Sequence, residues 1–140
     1  MFIIIMGCGR VGARVAQMLT KAGHEVTVMD VQSGAFNRLG PDFKGSTILG
    51  DATDQEVLKR AGIERADAFL AATQGDNRNI MASQISKHVF GVKRVVTRIY
   101  DPLRSDTFAA LGLQAISPTI IGANAFYEEL TGEQASTAAL

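Results

Sequence analysis

Apolar positions along this chain alternate between short continuous runs and sets spaced three and four apart, the two signatures of buried strands and one-sided helices. Phe2–Met6 is a five-residue apolar run that ends at glycine, and it reads as a buried strand. Behind it Val11, Val15, Leu19 and Ala22 mark one face of a helix, which Gly23-His24 closes as a C-cap turn. Glu25–Asp30 reads as the second strand. A short helical piece over Ala35–Leu39 and a loop from Gly40-Pro41-Asp42 to Gly45 follow.

The same alternation continues to the end of the chain. Ser46–Gly50 is the third strand, and Thr53 with Glu56 three residues later predicts a capping box opening a helix to about Ala61. Asp67–Thr73 is the fourth strand, followed by a helix over about Asn77–Phe90, and Arg94–Tyr100 is the fifth. Asp101-Pro102 places a cap and a proline at the start of a helix to about Leu111. Gln114–Ser117 is the sixth strand, and Ser117-Pro118 starts a final helix to about Leu130.

Strands separated by helices pair in parallel through right-handed crossovers. Six such units predict an α/β fold: a single Rossmann domain with a doubly wound six-stranded parallel sheet, order 3-2-1-4-5-6, plus a C-terminal helix. The domain is expected over residues 1–131, with 132–140 as a flexible tail. No tandem repeat, low-complexity block or domain linker interrupts it.

Composition narrows the function. With 140 residues and 46% hydrophobic content, one domain can bury a substantial core. Lys+Arg and Asp+Glu both number 14, so no global basic field attracts nucleic acid. Cys8 is the only cysteine, which excludes an intrachain disulfide and a multi-cysteine metal cage and suits a reducing cytoplasm. His24 and His88 have no second ligand at metal spacing, so no metal is expected. No apolar stretch approaches the twenty or so residues of a membrane span. A soluble, cytoplasmic protein is expected, one that meets a membrane only through a partner.

The chemistry sits after the first strand. Gly7-Cys8-Gly9-Arg10-Val11-Gly12 fits G-x-G-x-x-G between a strand and the start of a helix, the context in which that motif carries weight. Gly7 permits the tight turn, Gly9 lets the backbone approach a pyrophosphate, and Gly12 lets the helix pack close to the strand. The helix N-terminus offers unpaired N–H groups and partial positive charge. Asp30, eighteen positions after Gly12, ends the second strand where a carboxylate can accept both ribose hydroxyls. It would repel a 2′-phosphate, so NADP is disfavoured.

From Met1 to about Leu130 the chain resembles the N-terminal nucleotide-binding domain of the regulator-of-potassium-conductance (Trk-N) family of bacterial potassium uptake systems. The resemblance rests on Ile5 to Gly12, Gly23 to Asp30, and Gly50-Asp51-Ala52-Thr53-Asp54. It continues through Ala61-Gly62-Ile63, Ala66-Asp67-Ala68, Thr73 with Asp76 and Asn79, Phe90 to Arg94, and Ser117-Pro118-Thr119. It implies a cytoplasmic regulatory subunit, peripheral to the inner face of the membrane, that binds NAD(H) or ADP/ATP and gates a membrane potassium channel or transporter. It also implies a homodimer, often built into a ring. By the same resemblance Asp30 holds ribose, Asp51, Ala52 and Thr53 lie against adenine, and Thr73 lines the pocket. Arg10 and Arg98 face the phosphates, Arg98 from across a dimer contact in some arrangements. Most members carry a second, C-terminal ligand-binding domain. Here the sequence stops soon after the final helix, and a separately encoded partner is one way such a module could be supplied.

Each residue also has a plainer use. Arg10 follows the second glycine, where a guanidinium can grip a phosphate, and a cation at a helix N-terminus opposes the dipole, which favours a ligand role. Arg98 is equally explained by a solvent-facing strand position, Thr53 by its capping box, and Asp76 and Asn79 by the start of a helix. Cys8 is a small residue tolerated in a tight turn, or a thiol tuned by the helix. The last helix carries Ile120, Ile121, Ala123, Ala125, Phe126, Tyr127 and Leu130 on more than one face. That surplus predicts a homodimer surface unless the helix is sunk in a groove of its own monomer. An NAD-dependent oxidoreductase, or the nucleotide-binding fragment of one, is the alternative. It lacks a substrate domain, and neither Tyr100 nor Tyr127 is followed four residues later by lysine.

Overall fold

The computed structural model describes residues 1–101 and 105–136 of the chain. Six strands, β1 (Phe2–Met6), β2 (Glu25–Asp30), β3 (Ser46–Leu49), β4 (Ala68–Ala71), β5 (Arg94–Arg98) and β6 (Gln114–Ile116), form one parallel sheet. Their order is β3-β2-β1-β4-β5-β6, the doubly wound arrangement expected from the alternation of strands and helices. The helices are α1 (Arg10–Lys21), α2 (Gln55–Ala61), α3 (Asp76–Gln84), α4 (Ser105–Ala110) and α5 (Pro118–Thr131), with a 3-10 segment over Ser33–Leu39.

The continuous apolar run of β1 is explained by burial on both faces. Ile4 and Met6 join Met29, Leu58, Ile63 and Phe69 in one core, while Ile3 and Ile5 join Val26, Val28, Ala13 and Ala16 in the other. Ile4 and Ile5 are wholly excluded from solvent, each burial worth roughly 1.5–3 kcal/mol. Ile4 pairs with Thr27 on one side and Phe69 on the other, so β1 is the centre of the sheet. This places the glycine loop, which leaves its C-terminal end, at the middle of the carboxyl edge.

Several boundaries differ from the sequence pattern for local reasons. The capping box is not formed: Asp54, not Thr53, caps α2, its carboxylate accepting the Glu56 N–H at 2.9 Å, while Thr53 turns to Asp51. β4 is shorter than Asp67–Thr73 because Asp67 instead accepts the Phe2 N–H at 2.7 Å and Thr73 bonds to Asn79. β5 ends at Arg98, since Tyr100 N–H donates to the Asp76 carboxylate rather than to a strand. The helix expected over about 77–90 is α3 followed by a π turn, Ile85–Val89. Pro102, expected to start a helix, lies outside the described residues.

Ser117 caps α5 by accepting the Ile120 N–H at 3.3 Å, and Gly132 ends it in the left-handed region. No residue of α5 is fully buried. Ile121, Phe126, Tyr127 and Leu130 are 58%, 73%, 47% and 86% exposed, so the helix is not sunk in a groove of its own monomer.

Candidate functional site

β1 feeds α1 on one face of the sheet while β3 crosses under β2 and β1 to β4 on the other, so a crevice opens at the carboxyl edge where the winding reverses. It encloses about 750 Å³, within the range of small-molecule sites.

The three glycines of the loop have different reasons to be glycine. Gly7 has φ +105°, and a Cβ there would press on the Ala72–Thr73 backbone. A Cβ on Gly12 would run into the Gly7 carbonyl oxygen. Both are demanded by the fold. Gly9 is not: its φ of −82° suits any residue, and a Cβ there would meet nothing within 4 Å. The space above Gly9 belongs to the crevice, beside the first turn of α1, whose leading N–H groups have no partner within the helix. A bare backbone left open beside a helix N-terminus fits the phosphates of a nucleotide.

Asp30 ties this loop to β2. Its carboxylate accepts the Cys8 N–H at 2.8 Å and the Gln32 N–H at 2.9 Å, one on each oxygen. Each oxygen keeps a further lone pair that a ribose hydroxyl can use. Arg38 stands beside it, donating to the Cys8 carbonyl at 3.5 Å. Cys8 is fully buried, and burial first, then the Asp30 carboxylate, push its thiol up, with Arg38 opposing. A thiol raised in this way is a packing group rather than a reactive thiolate.

Across the crevice, Asn79 is completely buried and organises the β4–α3 turn. Its side-chain oxygen accepts the Thr73 N–H and hydroxyl, at 3.1 and 2.6 Å, and its amide donates to the Thr73 and Arg98 carbonyls. Asp76 holds the exit of β5 through the N–H groups of Tyr100 and Asp101, at 2.6 and 3.0 Å. Arg98 projects into the crevice with its guanidinium 5.7 Å from the Tyr100 ring centre. Its Nε is buried and has no hydrogen-bond partner. Such an N–H is costly to leave unmade, and a ligand acceptor would satisfy it.

Of the residues singled out in the sequence, Gly7, Cys8, Gly9, Arg10, Val11, Asp30, Ala52, Thr73 and Arg98 all line this one crevice. Gly12, Asp51 and Thr53 stand outside the lining. The Thr53 N–H and hydroxyl, at 2.9 and 2.8 Å, and Arg78, at 3.2 Å, converge on one oxygen of Asp51. Partial burial pushes the Asp51 carboxyl up, but Thr53 and Arg78 outweigh it and hold it below its usual range. Val31, Gln32, Arg38, Gln74, Arg78 and Tyr100 also line the crevice and were missed. For Arg78 a signal existed: like Arg10, it is a cation in the first turn of a helix, against the dipole. Among the described residues no cluster of His, Cys, Asp and Glu could hold a metal ion, and no helix is long and apolar enough to cross a membrane.

An open parallel sheet with a glycine loop, a helix N-terminus and an acid after β2 at its switch point defines a Rossmann-type nucleotide-binding domain. The family model of the TrkA-N domain matches residues 3–118, and the chain belongs to that family. It is 46% identical over 117 residues to the Trk system potassium uptake protein TrkA of Streptomyces coelicolor, covering 84% of this chain and 52% of that one. A TrkA homolog of Pyrococcus abyssi is 38% identical over 136 residues, 93% of this chain and 60% of its own length. The chain thus spans little more than half the length of these curated relatives, which are named as potassium uptake proteins and not as enzymes. Among solved structures, GsuK bound to ADP superimposes with a TM-score of 0.80 at 28% identity, over 94% of this chain and 34% of that one. The GsuK channel bound to NAD gives 0.79, also at 28% identity, over 92% and 23%.

Proposed function

We propose that this chain is the nucleotide-sensing part of a cytoplasmic regulatory protein that binds NAD(H) or ADP/ATP and thereby gates a membrane potassium channel or transporter. The observation that carries the reading is Gly9, whose missing side chain leaves open space in the crevice and serves no packing need of the fold. Around that space Gly7, Cys8, Val11 and the first turn of α1 would receive the phosphates, with Arg10 and Arg98 supplying positive charge. Asp30 would take the ribose and disfavour a 2′-phosphate, Ala52 would line the adenine end, and Thr73 would line the pocket at the end of β4. Asp51 and Thr53 would support that end from behind.

Binding becomes a signal when two arrangements of the protein differ in affinity for the ligand. A coupling of ~1–3 kcal/mol is ordinary for such a switch. The proposed second arrangement is a change in a homodimer formed through α5, whose exposed Phe126, Tyr127 and Leu130 need cover. A cavity of about 400 Å³, lined by Ile99, Leu113, Ile120 and Ile121, lies at its base. A ring of dimers and attachment to the inner face of the membrane through the transporter belong to the same proposal. So does the division of the chain into a domain of residues 1–131 and a tail.

Titration calorimetry with NAD+, NADH, ADP and ATP, with NADPH as the discriminating control, tests the reading. Micromolar binding of one of the first four, and weaker binding of NADPH, is expected. Absence of binding to all four would overturn it.

A further inference from the structure

Arg78 has a role at the crevice that the loop motif does not assign. Its backbone lies in the first turn of α3, after β4, yet its guanidinium reaches Asp51 on the loop after β3 at 3.2 Å. In the sheet β2 and β1 lie between those two strands. The contact therefore ties the β4–α3 turn to the loop after β3, and Arg78 lines the crevice where the two loops converge.

On the β3–β2 side of the crevice, Asp30, Gln32 and Arg38 stand beside an apolar stretch. Gly50, Ala52 and Val31 line it, and Val31 is 52% exposed although it is a large apolar side chain. Asp51 turns its charge away from the cavity towards Thr53 and Arg78. An ion pair whose side chains are 48% and 45% exposed adds little to stability, so the fold gives Arg78 no strong reason to be there. What the arrangement presents is a planar cation lining the same crevice as an apolar stretch, with the Asp30 carboxylate next to that stretch. A flat heteroaromatic ring would suit that place, since a planar guanidinium stacks on such faces whereas an ammonium meets them only as a point charge.

On this basis, and resting on the nucleotide reading above, we propose that Arg78 clamps the base of the bound nucleotide and that Asp51 is a positioning residue that holds the clamp in place. The phosphates remain the business of the glycine loop, so Arg78 contributes equally to every adenine nucleotide, whatever its phosphate count. Asp51 acts only through Arg78.

The test is titration calorimetry of the full chain with AMP, ADP and ATP, for the wild type, Arg78→Gln, Arg78→Lys, Asp51→Asn and the Arg78→Gln/Asp51→Asn double variant. Arg78→Gln should weaken all three ligands by the same factor, on the order of tenfold. Arg78→Lys should recover only part of the loss seen for Arg78→Gln, because the charge is kept and the plane is lost. Asp51→Asn should weaken binding by a smaller factor, and that effect should vanish in the Arg78→Gln background. A loss that grows from AMP to ATP, or full rescue by lysine, would make Arg78 a phosphate cation and overturn the clamp. An Asp51→Asn effect that persists without Arg78 would overturn the positioning role. Wild-type protein that binds none of the three would overturn the clamp, and the nucleotide reading falls with it only if NAD+ and NADH also fail to bind; the other adverse outcomes leave that reading intact.

Discussion

The carboxylate of Asp30 accepts the backbone N–H of Cys8 at 2.8 Å, so the acid that ends β2 also holds the glycine loop that leaves β1. The same side chain takes the Gln32 N–H on its other oxygen. One residue therefore shapes the loop and presents acceptors to the crevice, and its two duties can be separated by substitution.

Asp30→Asn keeps an acceptor oxygen but offers an amide to the second N–H. It should cost ~1–3 kcal/mol of stability, read by thermal unfolding, since one backbone donor loses its partner. Asp30→Ala should cost more in the same measurement. If both variants unfold like the wild type, Asp30 does not hold the loop.

Gly12→Ala places a Cβ against the Gly7 carbonyl oxygen, a backbone atom that cannot swing aside. Overpacking of this kind should cost ~1–3 kcal/mol or more in denaturant unfolding. Gly9→Ala, in the same motif, meets no neighbour and should change stability by no more than ~0.5 kcal/mol. Equal costs at the two positions would contradict the division of roles between these glycines.

Asn79 is the buried hub between the ends of β4 and β5. Asn79→Leu removes four hydrogen bonds and leaves the Thr73 and Arg98 groups unmatched, at a cost of ~3 kcal/mol or more. Asn79→Asp keeps the acceptor and loses the donor, and should fall between the two. Chemical denaturation orders the three proteins.

Asp51 makes a pH prediction. Its folded carboxyl titrates below the ordinary value of 3.8, so its contribution to stability is present above that value and lost as pH falls through the folded value. The group is nearly half exposed, so the contribution is ~1 kcal/mol or less. Wild type and Asp51→Asn should therefore differ slightly in melting temperature at pH 6 and converge near pH 2. A gap that widens on acidification would contradict the assigned sign.

Much of the fold was legible because β1 and its neighbours are buried on both faces, which writes strands as unbroken apolar runs. The crevice was legible to the extent that Gly7, Gly9, Gly12 and Asp30 obey one spacing. Local competition hid the rest. Thr53 and Asp54 can each cap α2, and only the pull of Asp51 on the Thr53 hydroxyl decides between them. Asn79 looked like a pocket residue or a helix start, and its burial as a hub depends on Thr73 and on a strand nineteen residues away. Arg78 went unread because its partner, Asp51, lies across two strands, a distance no local pattern records.

The most direct test of the central claim is titration of wild type and Gly9→Val with the nucleotide that binds best. The backbone at position 9 accepts a side chain and a Cβ there meets nothing within 4 Å, so valine is aimed at the space assigned to the phosphates. The account predicts an unchanged melting temperature and binding weakened at least tenfold. A Gly9→Val protein that binds as tightly as the wild type would contradict it.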